Sequence, residues 1–94
     1  MMALKYLNND RGNKIANCVV IMNNNDEGNL IYYLFSYEYL IAEANYLGDD
    51  KWNVVRRTDF RSNTTSKHLK AFFEDLGINM TVKDFYSKTE LTEK

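Results

Sequence analysis

Between Asn63 and Ile78 (NTTSKHLKAFFEDLGI) apolar side chains return every three or four positions. Leu69, Phe72, Phe73 and Leu76 fall at i, i+3, i+4 and i+7, one stripe of a helix with 3.6 residues per turn. Ser66, or one of the threonines before it, offers an oxygen to the free N–H groups at the helix start. Gly77 supplies a left-handed stop, and Ile78 can fold back onto the last turn. A shorter run, 81–88, opens on the capping box Thr81-x-x-Asp84 and sets Val82, Phe85 and Tyr86 on one side, which predicts a short second helix.

Upstream the period is two. Ala3 to Leu7 reads as a short strand with Leu4 and Tyr6 on one face, followed by a turn over 8–13 (NNDRGN), whose residues tolerate positive φ. Ile15 to Met22 is apolar on both faces and therefore reads as a central strand. The loop 23–29 (NNNDEGN) leads into Leu30 to Ser36, with Leu30, Tyr32 and Leu34 on one face and Ile31, Tyr33 and Phe35 on the other. Trp52 to Thr58 is the last strand, with Trp52 and Val54 toward the core. Residues 37–47 fit two patterns. A helix would align Tyr37, Leu40, Ile41, Ala44 and Leu47, whereas a strand would turn Leu40, Ala42, Ala44 and Tyr46 inward and Ile41, Glu43 and Asn45 outward.

Ninety-four residues make one domain with a small core, here 1–88 with a polar tail 89–94. Seven tyrosines raise the aromatic fraction to 14%, and exposed tyrosines favour contact surfaces. The net charge of −1 excludes binding of nucleic acid or membrane by bulk charge, but the charges are segregated. Residues 1–50 carry three cations and seven carboxylates, net −4; residues 51–70 carry six cations and only Asp59, net +5; residues 71–94 carry three against five, net −2. The lone cysteine, Cys18, lies in an apolar run and reads as a core residue. A signal-peptide core and a membrane-length apolar run of about 20 residues are both missing, so the expected location is the cytoplasm of a bacterium.

Candidate chemistry is sparse. If Gly28 held the sixth position of a calcium loop, Leu34 would stand at the twelfth, where a bidentate glutamate is required. No zinc spacing and no phosphate loop occur, so no metal and no cofactor are expected. The single histidine, His68, lies beside Lys67; Ser66 points elsewhere on the helix, and a half-exposed imidazole bonding a neighbouring carbonyl accounts for it. The basic band carries more interest. Arg56 and Arg57 on a strand, Arg61 in the next loop, and Lys67 and Lys70 at the helix start could share one surface with nearby aromatic rings, although a strand turns Arg56 and Arg57 to opposite faces.

Phe35-Ser36-Tyr37 followed by Ile41-Ala42, and later Thr64-Thr65-Ser66-Lys67-His68 with Phe72, resembles a family of small uncharacterised phage and mobile-element proteins of low-GC bacteria, over residues 30–76. The resemblance implies an aromatic-Ser-Tyr turn between two strands, TTSKH opening the C-terminal helix, and a β-rich sheet with one helix. It selects the strand for residues 39–46, and it implies no activity and no functional residue. The expected fold is thus α+β: an antiparallel meander of three to five strands packed against one C-terminal amphipathic helix, with a short second helix.

These features point to a non-enzymatic interaction protein, of phage type by resemblance, that binds and modulates or inhibits a host protein, with host-defence machinery among the candidates. The alternative is a small nucleic-acid-binding regulator using the band 51–70. The candidate interaction surface is Arg56, Arg57, Arg61, Lys67, His68 and Lys70 with Tyr37 and Tyr39. No membrane contact is expected, and an open sheet with an aromatic face could pair with a second copy as a homodimer.

Overall fold

The computed structural model describes residues 3–9, 11–24 and 26–92. Asp10 and Asn25, in the two expected loops, and Glu93 and Lys94, in the expected tail, lie outside them. Five strands, β1 (Ala3–Lys5), β2 (Cys18–Asn24), β3 (Leu30–Ser36), β4 (Tyr39–Gly48) and β5 (Lys51–Arg56), precede two helices, α1 (Asn63–Leu76) and α2 (Val82–Lys88). All strand pairs are antiparallel and the spatial order is β1-β2-β3-β4-β5, a plain meander. Each strand therefore bonds its neighbour in sequence, through two-residue turns at 37–38 and 49–50 and a longer connection over 6–17.

Residues 39–46 are strand, as the resemblance implied. The expected inward set is changed by a bulge. Leu34 pairs with Ala42 but Phe35 pairs with Leu40, so Ile41 is the extra residue. A bulge breaks strict alternation, and here it buries Ile41 and Ala42 together while Leu40 turns to the opposite face. A second irregularity at Tyr46/Gly48 leads into a two-residue turn. Asp49 and Asp50 both have left-handed φ, 52° and 59°, the condition a type I′ hairpin sets.

The expected strand 15–22 begins only at Cys18, because Asn17 takes φ 59° and bends the chain. The first loop is tied into a tight knot. Asn9 Oδ1 accepts from the N–H groups of Arg11 (2.9 Å) and Asn13 (3.1 Å), while Gly12, at φ 79°, donates to the Asn9 carbonyl.

Helix α1 is capped by Ser62, whose Oγ accepts from Thr65 N at 3.0 Å, so the helix starts earlier than a Ser66 cap would allow. Gly77, at φ 71°, ends it, and Ile78 N donates to the Phe73 carbonyl, as its expected return requires. Thr81 caps α2 through Asp84 N at 3.0 Å. One face of the sheet and both helices enclose the core: Cys18, Val20, Leu34, Ile41, Ala42 and Ala44 from the strands, Leu69, Phe72 and Phe73 from α1, Phe85 and Tyr86 from α2. Phe72, Phe73, Phe85 and Tyr86 form a chain of rings with centroids 5.1 to 6.0 Å apart. Each buried ring contributes about 2–3 kcal/mol by removal from water.

The segment expected as a polar tail runs beside β5 as far as Thr92. Leu91 bridges to Arg56, and Thr92 N donates to the Arg56 carbonyl at 2.8 Å.

Candidate functional site

The two stretches that carried the family resemblance meet in space. Ser36 ends β3, Tyr37 begins the turn into β4, and both lie against the first turns of α1. Ser36 Oγ is 2.8 Å from His68 Nδ1 and 3.2 Å from Thr65 Oγ1. His68 also bonds the Ala16 backbone, so one imidazole ties β3, α1 and the segment before β2 together.

Burial pushes the His68 pKa below its ordinary value, against the opposing effect of the Ala16 bond. A neutral ring that donates to the Ala16 carbonyl must accept from Ser36 Oγ–H at Nδ1. His68 is 2% exposed and Ser36 1%, in place of the expected half-exposed histidine. The pair has the spacing of a nucleophile and its base. A carbonyl stands where a carboxylate would orient the ring, the hydroxyl lies under the surface, and the pair joins three segments of the chain.

Above this cluster lies a groove of about 650 Å³. One wall is the outer stripe of α1, Thr64, Lys67, Lys70, Ala71 and Glu74, at helical spacing. The facing wall is the segment before β2, with Asn8, Asn9, Lys14 and Asn17, and Tyr37 closes the end near Thr64. Tyr37 has φ 59°, a left-handed conformation that costs a bulky residue about 1–2 kcal/mol. Its N–H donates to the Asn17 carbonyl at 2.7 Å, and its ring lies 6.2 Å from that of His68.

The groove is mainly basic. Lys14, Lys67 and Lys70 make no ion pair with any described carboxylate; Lys14 rests over the Tyr6 ring at 4.3 Å. The partial positive charge of the α1 N-terminus adds to them, with no acidic residue in its first turn. Glu74 also lines the groove, and Asp75 beside it, in a smaller neighbouring pocket, pairs with Lys5.

The remaining candidates lie elsewhere. Arg56 reaches Asp59 and the Thr89 Oγ1 and carbonyl, Arg57 binds Glu43 Oε1 at 2.9 Å on the opposite face of the sheet, and Arg61 sits 4.5 Å above the Tyr86 ring. Tyr39 stacks loosely on Phe60, 6.4 Å away, both exposed. Tyr37, Lys67 and Lys70 thus line the groove, His68 forms part of its floor, and Arg56, Arg57, Arg61 and Tyr39 do not join them. Lys14 and the asparagines of the first loop are the members that sequence reasoning missed, since only the tertiary fold brings residues 8–17 against α1. Among the described residues no group of three or more histidine, cysteine or acidic side chains could hold a metal, and no helix is long and apolar enough to cross a membrane.

Residues 2–92 match the model of a family of unknown function, DUF8033. The chain belongs to that family. The match extends beyond the stretch 30–76 that carried the resemblance, and the family description names neither an activity nor a phage origin. No curated protein and no solved structure matches the chain.

Proposed function

We propose that this DUF8033 protein is a non-enzymatic interaction protein whose basic groove receives an acidic segment of a partner protein. On the phage-type resemblance, that partner is a protein of the bacterial host, whose activity binding modulates or inhibits. The observation that carries the reading is that Lys14, Lys67 and Lys70 line one groove together with the exposed Tyr37. In a chain of net charge −1, such a local cluster selects a partner by charge at short range. Asparagine side chains along the facing wall can donate to main-chain carbonyls. The nucleic-acid reading loses its three arginines, each engaged within the fold, and keeps only the lysines of this groove.

The experiment is an amide-resonance titration with a twelve-residue glutamate-rich peptide and, separately, with a single-stranded oligonucleotide, at low and physiological salt. Shifts at Lys14, Tyr37, Lys67 and Lys70 with the peptide, abolished by Lys67→Glu with Lys70→Glu, support the proposal. Shifts with the oligonucleotide alone transfer the groove to the nucleic-acid reading, and silence with both removes it as a charged docking site.

A further inference from the structure

Strands β2 and β3 are mainly apolar on both sides, yet the helices cover only one, and at one end of the open side a row of Asn23, Ile31, Asn45 and Asn53 borders the apolar residues. The core cluster takes the inward side chains of β2 to β5. Val19, Ile21, Tyr33, Phe35, Leu40 and Val55 point the other way, are only partly buried, and do not belong to the core or to the side chains packed against it. They form contiguous rows across the sheet. Val19 pairs with Phe35 and Phe35 with Leu40, and in the next row Leu4, Ile21, Tyr33, Glu43 and Val55 follow one another. An antiparallel sheet with one wet face normally alternates apolar and polar residues, and a patch of this kind marks a contact.

We infer that this open face is a two-fold interface, covered by the same face of a second copy of the chain. Charge argues for that occupant. Among the described residues the charged groups of the face are Glu43 and Arg57, bonded to each other at 2.9 Å, and Lys51 at the corner where β5 begins. The face is close to neutral and offers a strongly acidic or basic partner little to engage, whereas an identical face matches it in polarity and, across a two-fold axis, sets an acid and a base of each copy against those of the other. Glu43 also accepts from Asn45 Nδ2 at 2.9 Å, so the pair enters an interface already hydrogen-bonded, which limits the cost of covering it.

Size agrees. Five strands at about 4.8 Å spacing and strands of seven residues at about 3.3 Å rise give a projected area on the order of 500 Å². The pleat and the side chains of the rim bring the accessible area toward the ~800 Å² that each partner contributes to a standard interface. Edge pairing is the weaker route. The described part of β1 has three residues, and residues 91–92 lie beside the end of β5. Two sheets thus pack face to face about 10 Å apart, with the helices and the basic groove of each copy outermost.

The dimer is tested by sedimentation equilibrium over a wide concentration range. The expected mass is twice 11.1 kDa, falling by half in Ile21→Glu with Val55→Glu, with the far-ultraviolet spectrum unchanged, and staying doubled in Lys67→Glu with Lys70→Glu. A wild-type chain that stays monomeric at every concentration overturns the inference, as does a doubled mass that survives the Ile21 and Val55 changes. Should those variants fail to fold, a soluble paramagnet added to the wild type decides. Methyl signals of Val19, Ile21, Leu40 and Val55 stay sharp beside broadened Leu30, an exposed residue on the helix side of the sheet, if the face is covered, and broadening of all of them in the doubled species sinks the proposal. Because the groove lies on the far side of the sheet, either surface can fail without the other.

Discussion

Ser36 Oγ and His68 Nδ1 lie 2.8 Å apart across 32 positions of sequence, both almost wholly buried. That bond, with the one from His68 to Ala16, fixes the wall of the basic groove against the helix that forms its other side. The groove exists because a buried polar network, once fully paired, holds its members in one arrangement.

Acid should loosen this arrangement. In the folded chain the His68 pKa lies below its ordinary 6.5, because burial disfavours the charged ring. The unfolded chain therefore binds the proton first as pH falls. Stability is full above about pH 6.5 and declines below it, with a slope of up to ~1.4 kcal/mol per pH unit, until the folded pKa is reached. Denaturant melts between pH 7.5 and 5 should show this decline, and His68→Gln should remove it. Substitution by alanine should cost about 2–4 kcal/mol at neutral pH by leaving a cavity and an unpaired Ala16 carbonyl, with the Ser36 hydroxyl keeping only Thr65 Oγ1. A pH-independent stability across that window would contradict the neutral, accepting imidazole.

The caps make a separable prediction. Ser62→Ala should destabilise the fold by about 1 kcal/mol and Thr81→Ala by a similar amount, since each hydroxyl serves an N–H that no helical carbonyl reaches. Ser66→Ala, inside the helix, should change stability by no more than about 0.5 kcal/mol. Urea midpoints of the three variants rank the caps directly.

How far the chain discloses its fold differs from element to element. The α1 stripe and its Gly77 stop are visible because both signals are local: a period of 3.6 and a residue that accepts positive φ. The start of α1 is harder to place, because Ser62, Asn63, Thr64, Thr65 and Ser66 all carry a capping oxygen and only the path of the chain out of β5 chooses among them. Strand 39–46 is likewise hidden, since its apolar residues satisfy both periods until the bulge at Ile41 is formed. The candidate site is legible only on its helical side. Lys67 and Lys70 show in the sequence, but Lys14 reaches them through tertiary packing, and Arg56 and Arg57 part company because adjacent strand residues face opposite ways. Ser36, the partner of His68, carried no local sign of that role.

Cys18 is a core residue whose thiol should be inert. Burial pushes its pKa up to about 11, so at pH 8 only on the order of one thiol in a thousand is ionised, against a sizeable fraction for an exposed cysteine. Labelling by a disulfide reagent at pH 8 should be more than about a hundredfold slower in the native chain than in urea. Fast labelling without denaturant would mean that the start of β2, where Cys18 pairs with Ser36, opens readily.

Tyr37 sets stability against binding. Its left-handed φ of 59° is one that asparagine and glycine adopt at lower cost, and its ring, 52% exposed, repays little of that cost by burial. Tyr37→Asn should therefore raise stability by about 0.5–1 kcal/mol. The same change removes the aromatic end of the groove beside Lys67 and should weaken binding of the acidic peptide severalfold. Paired measurement of the urea midpoint and the peptide affinity separates the two effects. A gain in stability with binding intact would leave the lysines as the whole of the site, whereas a loss of stability would show that contact with the His68 ring, rather than the groove, keeps the tyrosine in its strained conformation.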